Sequence, residues 1–517
     1  MSIHKSIAKS AGIIGLATLC SRILGLIRDM VIARLFGVYI YAQAFVIAFR
    51  IPNLFRDILG EGAANAALVP VFSEYGLRHT KEEFWELANV VLNILLVILT
   101  SLTLAGVILA PVLVRIFAPG FSADPQKLAI TITLTRIIFP YVLLICLAAY
   151  CMGILNSLRN FTVSAFAPCL LNISIIVCAL IFGEGLSGLA SGVLIGGVLQ
   201  LAVQIPVLYK KGFHLELFQR FKHPAAKTIS KLMLPRLASS GIYQLNNVVD
   251  SAFGSLAFIV GDGGVAALYF AYRLVQFPLG VFSNALSQAI LPAFSVQALE
   301  DNHDQLKRTL SFGLRVVFFV MFPALVLFMS YSRPIISIIF EYGKFDRYST
   351  DITAQVLYFY SAGLVAYSAT KIMQSCFFAL KDTVTPTKIA GLSLGLNIIF
   401  NAILIFPFKI AGVAFATSLS GIICSFTLFF LLKKRLFPFN GKEITISFLK
   451  IFIASLGMRL VCFLAQKNIP CGINLFDRIS HLALLFILGG VSYICFCFIF
   501  RVHEMHELRK WLLKRRG

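Results

Sequence analysis

Long apolar runs separated by short polar connections fill this chain from end to end. Runs long enough to cross a bilayer stand near 10–36, 41–73, 86–114, 128–157, 162–183, 186–209 and 232–259. A second set stands near 264–296, 309–332, 350–379, 387–408, 411–432, 444–466 and 479–500. A crossing helix takes about 20 apolar residues, so the pattern predicts an all-α polytopic membrane protein with fourteen transmembrane helices. Several runs exceed that length, which implies tilt or protrusion. An even number of spans puts both termini on one side.

The connections set the orientation. Taking the N-terminus as inside, most loop Lys and Arg fall on that side, in 1–9, 210–231, 433–443 and the tail 501–517. Cytoplasmic loops carry such an excess, so both termini are expected in the cytoplasm. The tail reads as a basic amphipathic helix on the inner membrane surface. Lys5 and Lys9 before an apolar stretch resemble a signal peptide, but Arg22, Arg28 and Asp29 interrupt that stretch and no small-residue cleavage site follows. A retained first helix is expected.

The pattern also repeats. Asn65-Ala-Ala-Leu-Val-Pro70-Val-Phe72-Ser73 recurs as Ser287-Gln-Ala-Ile-Leu-Pro292-Ala-Phe294-Ser295. At nearly the same offset Leu158-Arg-Asn-Phe-Thr-Val163 recurs as Leu380-Lys-Asp-Thr-Val384, Leu171-Asn172-Ile173 as Leu396-Asn397-Ile398, and Gly188-Leu-Ala190 as Gly412-Val-Ala414. Two six-helix lobes in parallel orientation around a central cavity follow, with two extra C-terminal helices. Paired repeats about a midplane site are a transporter plan. The expected divisions are a lobe at 1–209, a cytoplasmic linker at 210–231, a lobe at 232–433, the extra pair at 444–500 and the tail at 501–517.

Composition sharpens this picture. Of 517 residues 59% are apolar and 13% charged, with mean hydropathy +0.87. Soluble chains are about 25% charged, so a soluble enzyme, a fibrous or disordered chain and a disulfide-stapled domain are excluded. The net charge of +22 is explained by basic loops rather than by nucleic acid, because the aromatics are mostly Phe (48) with two Trp. Ten of the eleven Cys, all but Cys471, lie in apolar runs and form no C-x-x-C pair. They are expected to be small buried hydrophobes. No two His stand four apart, so a His metal site is not expected.

Charges inside the spans carry the chemistry. They are Arg22, Arg28, Arg34, Arg50, Arg56, Arg136, Arg236, Arg273, Arg315, Lys371, Lys450 and Arg459, against Asp29, Asp57, Glu61 and Asp250. Those near span ends can snorkel to the interface. Charges deeper in the bilayer need a watery cavity or a partner. Arg22 and Asp29 are seven apart and share a helix face, as do Arg50 and Asp57, although Pro52 bends the second helix. With Arg273 from the second half, the cluster suits a polyanion, above all a diphosphate, because guanidinium binds phosphate bidentately. An interior salt-bridge network with Asp29, Asp57 and Glu61 is the competing explanation.

These segments resemble the MurJ (MviN) family of bacterial lipid II flippases, within the multidrug/oligosaccharidyl-lipid/polysaccharide exporter superfamily. The matching motifs are S-R-x-L-G-x-x-R-D from Ser21, P-N-L-x-R from Pro52, E-G-A from Glu61, V-P-V-F-x-E-Y from Val69 and Y-R-L-x-x-x-P-x-G-V from Tyr272. The resemblance implies a non-enzymatic flippase of the inner membrane. It would carry undecaprenyl-diphosphate-linked peptidoglycan precursor from the cytoplasmic to the periplasmic face by alternating access. The implied substrate-binding residues are Arg22, Arg28, Asp29, Arg56, Glu61 and Arg273. The helices at 444–500 would hold the lipid tail. Lipid II and membrane lipids are the implied partners, and other cell-wall synthesis proteins are further candidates. Gln43 and Gln276 depart from the pattern, which often carries acids there, so a more positive cavity is expected.

No cofactor is expected beyond a coupling ion. Asp250 lies deep in a span beside Asn246 and Asn247, while Asn397 and Asn401, and Val413 and Thr417, are spaced to share helix faces. Their oxygens would suit Na⁺. These positions resemble a sodium site in some family members, with Asn401 where they carry an acid. Amide hydrogen bonding between helices is the alternative. Two other functions stay open: an exporter of another polyprenyl-linked oligosaccharide of O-antigen type, and a polyprenyl-phosphate membrane enzyme. The second lacks the clustered carboxylates or nucleophile arrangement such chemistry needs.

Overall fold

The computed structural model describes residues 3–58, 65–183, 185–217, 221–300, 303–436, 441–469 and 474–505. Among them the regular structure is helical, with no strand. The helices run α1 (Ile3–Phe36), α2 (Ile40–Phe55), α3 (Asn65–Arg78), α4 (Lys81–Ile108), α5 (Ala110–Phe117), α6 (Pro125–Ile138) and α7 (Tyr141–Ser157). They continue as α8 (Thr162–Phe182), α9 (Leu186–Ala202), α10 (Ile205–Lys210), α11 (Pro224–Gly254), α12 (Ala257–Val260), α13 (Gly264–Pro278) and α14 (Asn284–Leu299). The last are α15 (His303–Phe340), α16 (Arg347–Ala362), α17 (Leu364–Ala379), α18 (Val384–Arg435), α19 (Lys442–Asn468) and α20 (Leu475–Ile499). Nine helices among the described residues are long and apolar enough to cross a membrane, so the chain is a multi-pass membrane protein. The tail 506–517 lies outside the described residues.

The chain forms two compact units. The first holds Met1–Phe258, Asp262–Ala266 and Tyr342–Phe345; the second holds Ile259–Gly261, Ala267–Glu341 and Asp346–Gly517. In the first, α11 packs on α3, α4 and α5, and α1 lies along α8. Close approach drives assembly within a bilayer, where apolar surface gains little from leaving lipid. On α9, a Cβ at Gly192 would stand 2.8 Å from the Ile175 backbone, and one at Gly196 would stand 2.9 Å from that of Leu171. Only glycine lets α8 and α9 meet this closely. Elsewhere Phe72, Phe84 and Tyr150 form an edge-to-face cluster, and the Tyr150 hydroxyl donates to the Ala88 carbonyl at 2.6 Å. Asn89 and Asn93, buried on α4, bind the backbone of His214 and Glu216 and so tie down the segment before α11.

In the second unit, α19 and α20 are sewn to α15. The Tyr331 hydroxyl donates to the Cys462 carbonyl at 3.1 Å, and the Tyr493 hydroxyl to the Phe319 carbonyl at 2.7 Å. Phe448 stacks edge-on against Phe318 and Phe322. Just past α20, buried Glu504 accepts from Ser447 at 2.9 Å and faces Arg315 at 3.4 Å.

The repeat seen in the sequence recurs in backbone geometry. Arg159 and Lys381 adopt φ of 57° and 58°. Behind each, the next amide closes a six-residue turn, Asn160 onto Leu155 and Asp382 onto Phe377. This Schellman closure ends α7 and α17 alike. Asp382 also accepts from Thr385 and pairs with Arg435. Partial burial pushes its carboxyl up, but those bonds outweigh it and hold the group below the usual carboxylate range.

A second match lies one helix later in each half. Gly183 after α8 has φ 59° and ψ −128°, and Lys409 inside α18 has φ 51° and ψ −131°. That region belongs to glycine and costs other residues about 1–3 kcal/mol. The corner explains why 387–408 and 411–432 read as separate apolar runs within one long helix. Lys409 is exposed, so its side chain contributes little packing. Lys409→Gly is expected to raise the thermal midpoint of the purified protein by a few degrees; a lower midpoint would refute the strain.

Candidate functional site

In the first unit the polar chain begins on α1. Arg28 and Asp29 are 3% and 0% exposed, and Arg28 Nε and Nη2 donate to Asp29 Oδ1 at 3.0 and 2.7 Å. The remaining fork reaches across to α8, where Arg28 Nη1 donates to Asn172 Oδ1 at 3.1 Å. Asn172 in turn donates to the Ser21 carbonyl at 3.2 Å, and the guanidinium lies 5.7 Å from the Phe49 ring. Arg22, half-buried, sits on the same helix. Beyond the shared helix face of Arg22 and Asp29, the Asp29 carboxylate pairs with its sequence neighbour Arg28.

A second pair sits at the end of α2. Residues 56–58 form a π-helical turn following Pro52, and Arg56 Nε and Nη2 donate to Asp57 Oδ1 at 3.1 and 2.8 Å. This pair is more open, with the two side chains 27% and 28% exposed. Gln244 of α11 donates to Asp57 Oδ2 at 3.0 Å and accepts from Asn247 at 3.1 Å. Arg50 Nη1 donates to the Asn247 carbonyl at 3.1 Å and also to the Ser251 hydroxyl. Arg56, Asp57, Gln244, Asn247, Arg50 and Ser251 therefore form one polar chain joining α2 to α11. Buried Asp250 stands within that stretch of α11. Glu61 lies outside the described residues.

Arg273 belongs to the second unit, on α13, where Nη2 donates to the Tyr269 hydroxyl at 3.0 Å and the guanidinium lies 5.3 Å from that ring. A π turn at Leu279–Ser283 follows α13. Such turns loosen the helical ladder and recur at functional positions. Arg50 stands before the first π turn as Arg273 stands before the second.

Sequence reasoning left Arg50, Asp57, Asn172, Gln244 and Asn247 out of the expected binding set. A signal for Arg50 was present: Ala48-Phe49-Arg50-Ile51 parallels Ala271-Tyr272-Arg273-Leu274. Asn172 is the repeat mate of Asn397, and both are buried.

The neutral residue at 43 has a local explanation. Gln43 is 1% exposed and its amide donates to Asp262 at 3.4 Å, where Lys127 Nζ pairs at 3.4 Å. An acid at 43 would face Asp262, so here Asp262 supplies the negative charge beside Lys127.

Asn397, Asn401, Val413 and Thr417 come together within α18, folded back at Lys409. Asn401 donates to Asn397, Asn397 to the Thr417 hydroxyl and Thr417 to the Val413 carbonyl, each at 3.1 Å. Asp250 belongs to the first unit. Among the described residues no group of three or more His, Cys, Asp or Glu forms a metal cluster. The quartet offers neutral amide, hydroxyl and carbonyl oxygens, which suit a hard monovalent cation rather than zinc.

The family model "Lipid II flippase MurJ" matches residues 32–484. A probable lipid II flippase MurJ of Buchnera aphidicola subsp. Schizaphis graminum is 33% identical, over 95% of this chain and 96% of its own. The lipid II flippase MurJ of Burkholderia cenocepacia is 31% identical, over 92% and 94%. Among solved structures, a lipid II flippase MurJ in an inward closed conformation superposes with TM-score 0.80 at 29% identity, covering 94% of this chain and 98% of that one. An inward-facing multidrug resistance MATE family transporter matches at TM-score 0.68 and 17% identity, over 80% and 94%, which shows a shared fold. With the motifs at Ser21, Pro52 and Tyr272 standing where the polar networks lie, the chain belongs to the lipid II flippase MurJ family.

Proposed function

We propose that this protein is a transporter, not a catalyst, that moves lipid II across the inner membrane from the cytoplasmic to the periplasmic face by alternating access. The family match across 32–484 carries the proposal. The arginines support it chemically. Arg22, Arg28, Arg56 and Arg273 supply guanidinium forks that suit a diphosphate, with Asp29 and Glu61 tuning the local charge. Pairing with Asp29 and Asp57 keeps Arg28 and Arg56 stable within the bilayer until an anion competes for them.

The proposed topology has fourteen spans with both termini cytoplasmic, following the basic bias of the loops. Phe318, Phe322, Ala366, Phe429 and Phe448 line an apolar cavity of about 420 Å³ in the second unit, to which α19 contributes. We assign that groove to the polyprenyl tail. Na⁺ is proposed as the coupling ion, with Asn397, Asn401, Val413 and Thr417 of the second unit as neutral ligands and Asp250 of the first unit as a separate acid taking part in the coupling.

The test is rescue of cells depleted of their own lipid II flippase, read as lipid II exposed on the outer face. Rescue is expected. Failure to expose lipid II, with export of another polyprenyl-linked sugar instead, would overturn the assignment. The same assay across Na⁺ concentrations should show a response in wild type that Asp250→Asn weakens. Flat curves in both would remove the ion.

A further inference from the structure

α17 presents two chemically different sides. Val365, Ala369 and Met373 line the apolar groove. The helix's more open sector carries Tyr367, Thr370, Lys371 and Gln374, with Phe378 at its end. The first four all bear polar groups. A sector facing hydrocarbon would be apolar, because lipid offers polar groups no partner. This sector therefore faces water.

Lys371 is the exposed residue among those four. Ala379 ends α17 about 12 Å further along the axis, at about 1.5 Å per residue, which is farther than a lysine stem reaches. The ammonium is thus held at depth. Among the described residues no carboxylate offsets it. Serine hydroxyls lie beside the backbone at this level of the helix. Ser287 and Ser375 lie 2.7 Å apart, Ser375 donates to the Lys371 carbonyl at 3.2 Å, and Ser283 donates to Ser368 at 2.6 Å. Ser368, Lys371 and Ser375 follow helical spacing and share one side of α17.

A cation held deep in a span needs a watery cavity or a partner, and one that stands in such a cavity with no carboxylate beside it is open to an anion. Lysine binds phosphate as a point charge. We propose that Lys371, with Ser287 and Ser375 beside its backbone, is a further anion-binding step in the second unit for the diphosphate of the lipid substrate. The groove on the other side of α17 supports an anion carried on a long apolar chain. The proposal rests on the lipid II assignment and adds to it a contact outside the arginine set.

Full-length protein in lipid nanodiscs tests it by native mass spectrometry, with lipid II, undecaprenyl diphosphate and inorganic diphosphate as separate probes. Lys371→Gln and Lys371→Met should each bind the two lipids about tenfold more weakly, and Lys371→Arg should recover most of that loss. Equal lipid binding by Lys371→Gln, Lys371→Met and wild type would overturn the Lys371 site while leaving the flippase assignment standing. Wild type that binds neither lipid would overturn both. Loss confined to inorganic diphosphate would make this a free-anion site and also defeat the proposal. Recovery by Arg separates binding from structure, because Lys and Arg bring a positive charge to the phosphate while Gln and Met bring none.

Discussion

Arg28→Ala is expected to abolish rescue of flippase-depleted cells and also to lower the thermal midpoint of the purified protein. Arg56→Ala is expected to abolish rescue with the midpoint nearly unchanged. The two arginines make the same kind of pair in different surroundings. Removing Arg28 takes a buried ion-pair partner from Asp29, which is 0% exposed, and a hydrogen-bond donor from Asn172. Breaking a buried pair this way costs about 3–5 kcal/mol. The Arg56–Asp57 pair is 27% and 28% exposed, where such pairs contribute about 0–1 kcal/mol. Asp57 also keeps its bond from Gln244. Arg28→Lys should recover part of the midpoint but little transport, because a point charge cannot serve Asp29 and Asn172 while binding a phosphate bidentately. The check is thermal unfolding beside complementation for all three variants. Full rescue by Arg56→Ala would remove it from the proposed binding set, and an unchanged midpoint in Arg28→Ala would contradict the buried network.

The difference between these arginines was not legible in the sequence. Spacing placed Arg22 with Asp29 and Arg50 with Asp57, since residues seven apart share a helix face. Spacing gave no hint of the neighbour pairs Arg28 with Asp29 and Arg56 with Asp57. An arginine stem is long enough to fold back onto a neighbour, and the π turn at 56–58 changes the angles that spacing assumes. Asn172 could not be linked to Arg28 from spacing, because that bond crosses from α1 to α8.

The repeat was legible, and more fully than residue identity suggested. Leu158-Arg-Asn and Leu380-Lys-Asp share a left-handed turn, and Gly183 and Lys409 share a corner although only one is glycine. Backbone geometry is kept where side chains differ, since the connection between successive spans constrains φ and ψ rather than chemistry. The apolar runs were legible for the simpler reason that hydrocarbon requires them.

The apolar groove yields the second large effect. Ala366→Phe is expected to reduce flipping of lipid II with its full undecaprenyl tail by about tenfold while leaving a short-tailed analogue nearly unaffected. The cavity of about 420 Å³ is bounded by Phe318 and Phe322 of α15, Ala366 of α17, Phe429 of α18 and Phe448 of α19. A phenylalanine entering from half-buried Ala366 takes up space the tail would occupy without forcing a tightly packed core. Displacing three or four methylenes, at about 0.8 kcal/mol each in water-referenced terms and less against competing lipid, gives a loss of that order. The point substitution is a sharper probe than removing 444–500. That deletion would take Phe448 from Phe318 and Phe322 and the Cys462 carbonyl from Tyr331, so the helices of the second unit would lose packing along with any groove. Transport assays comparing the two tail lengths in one proteoliposome preparation decide the matter. Equal loss on both substrates would mean that Ala366→Phe disturbs the fold, and unchanged transport of both would mean that the tail lies elsewhere.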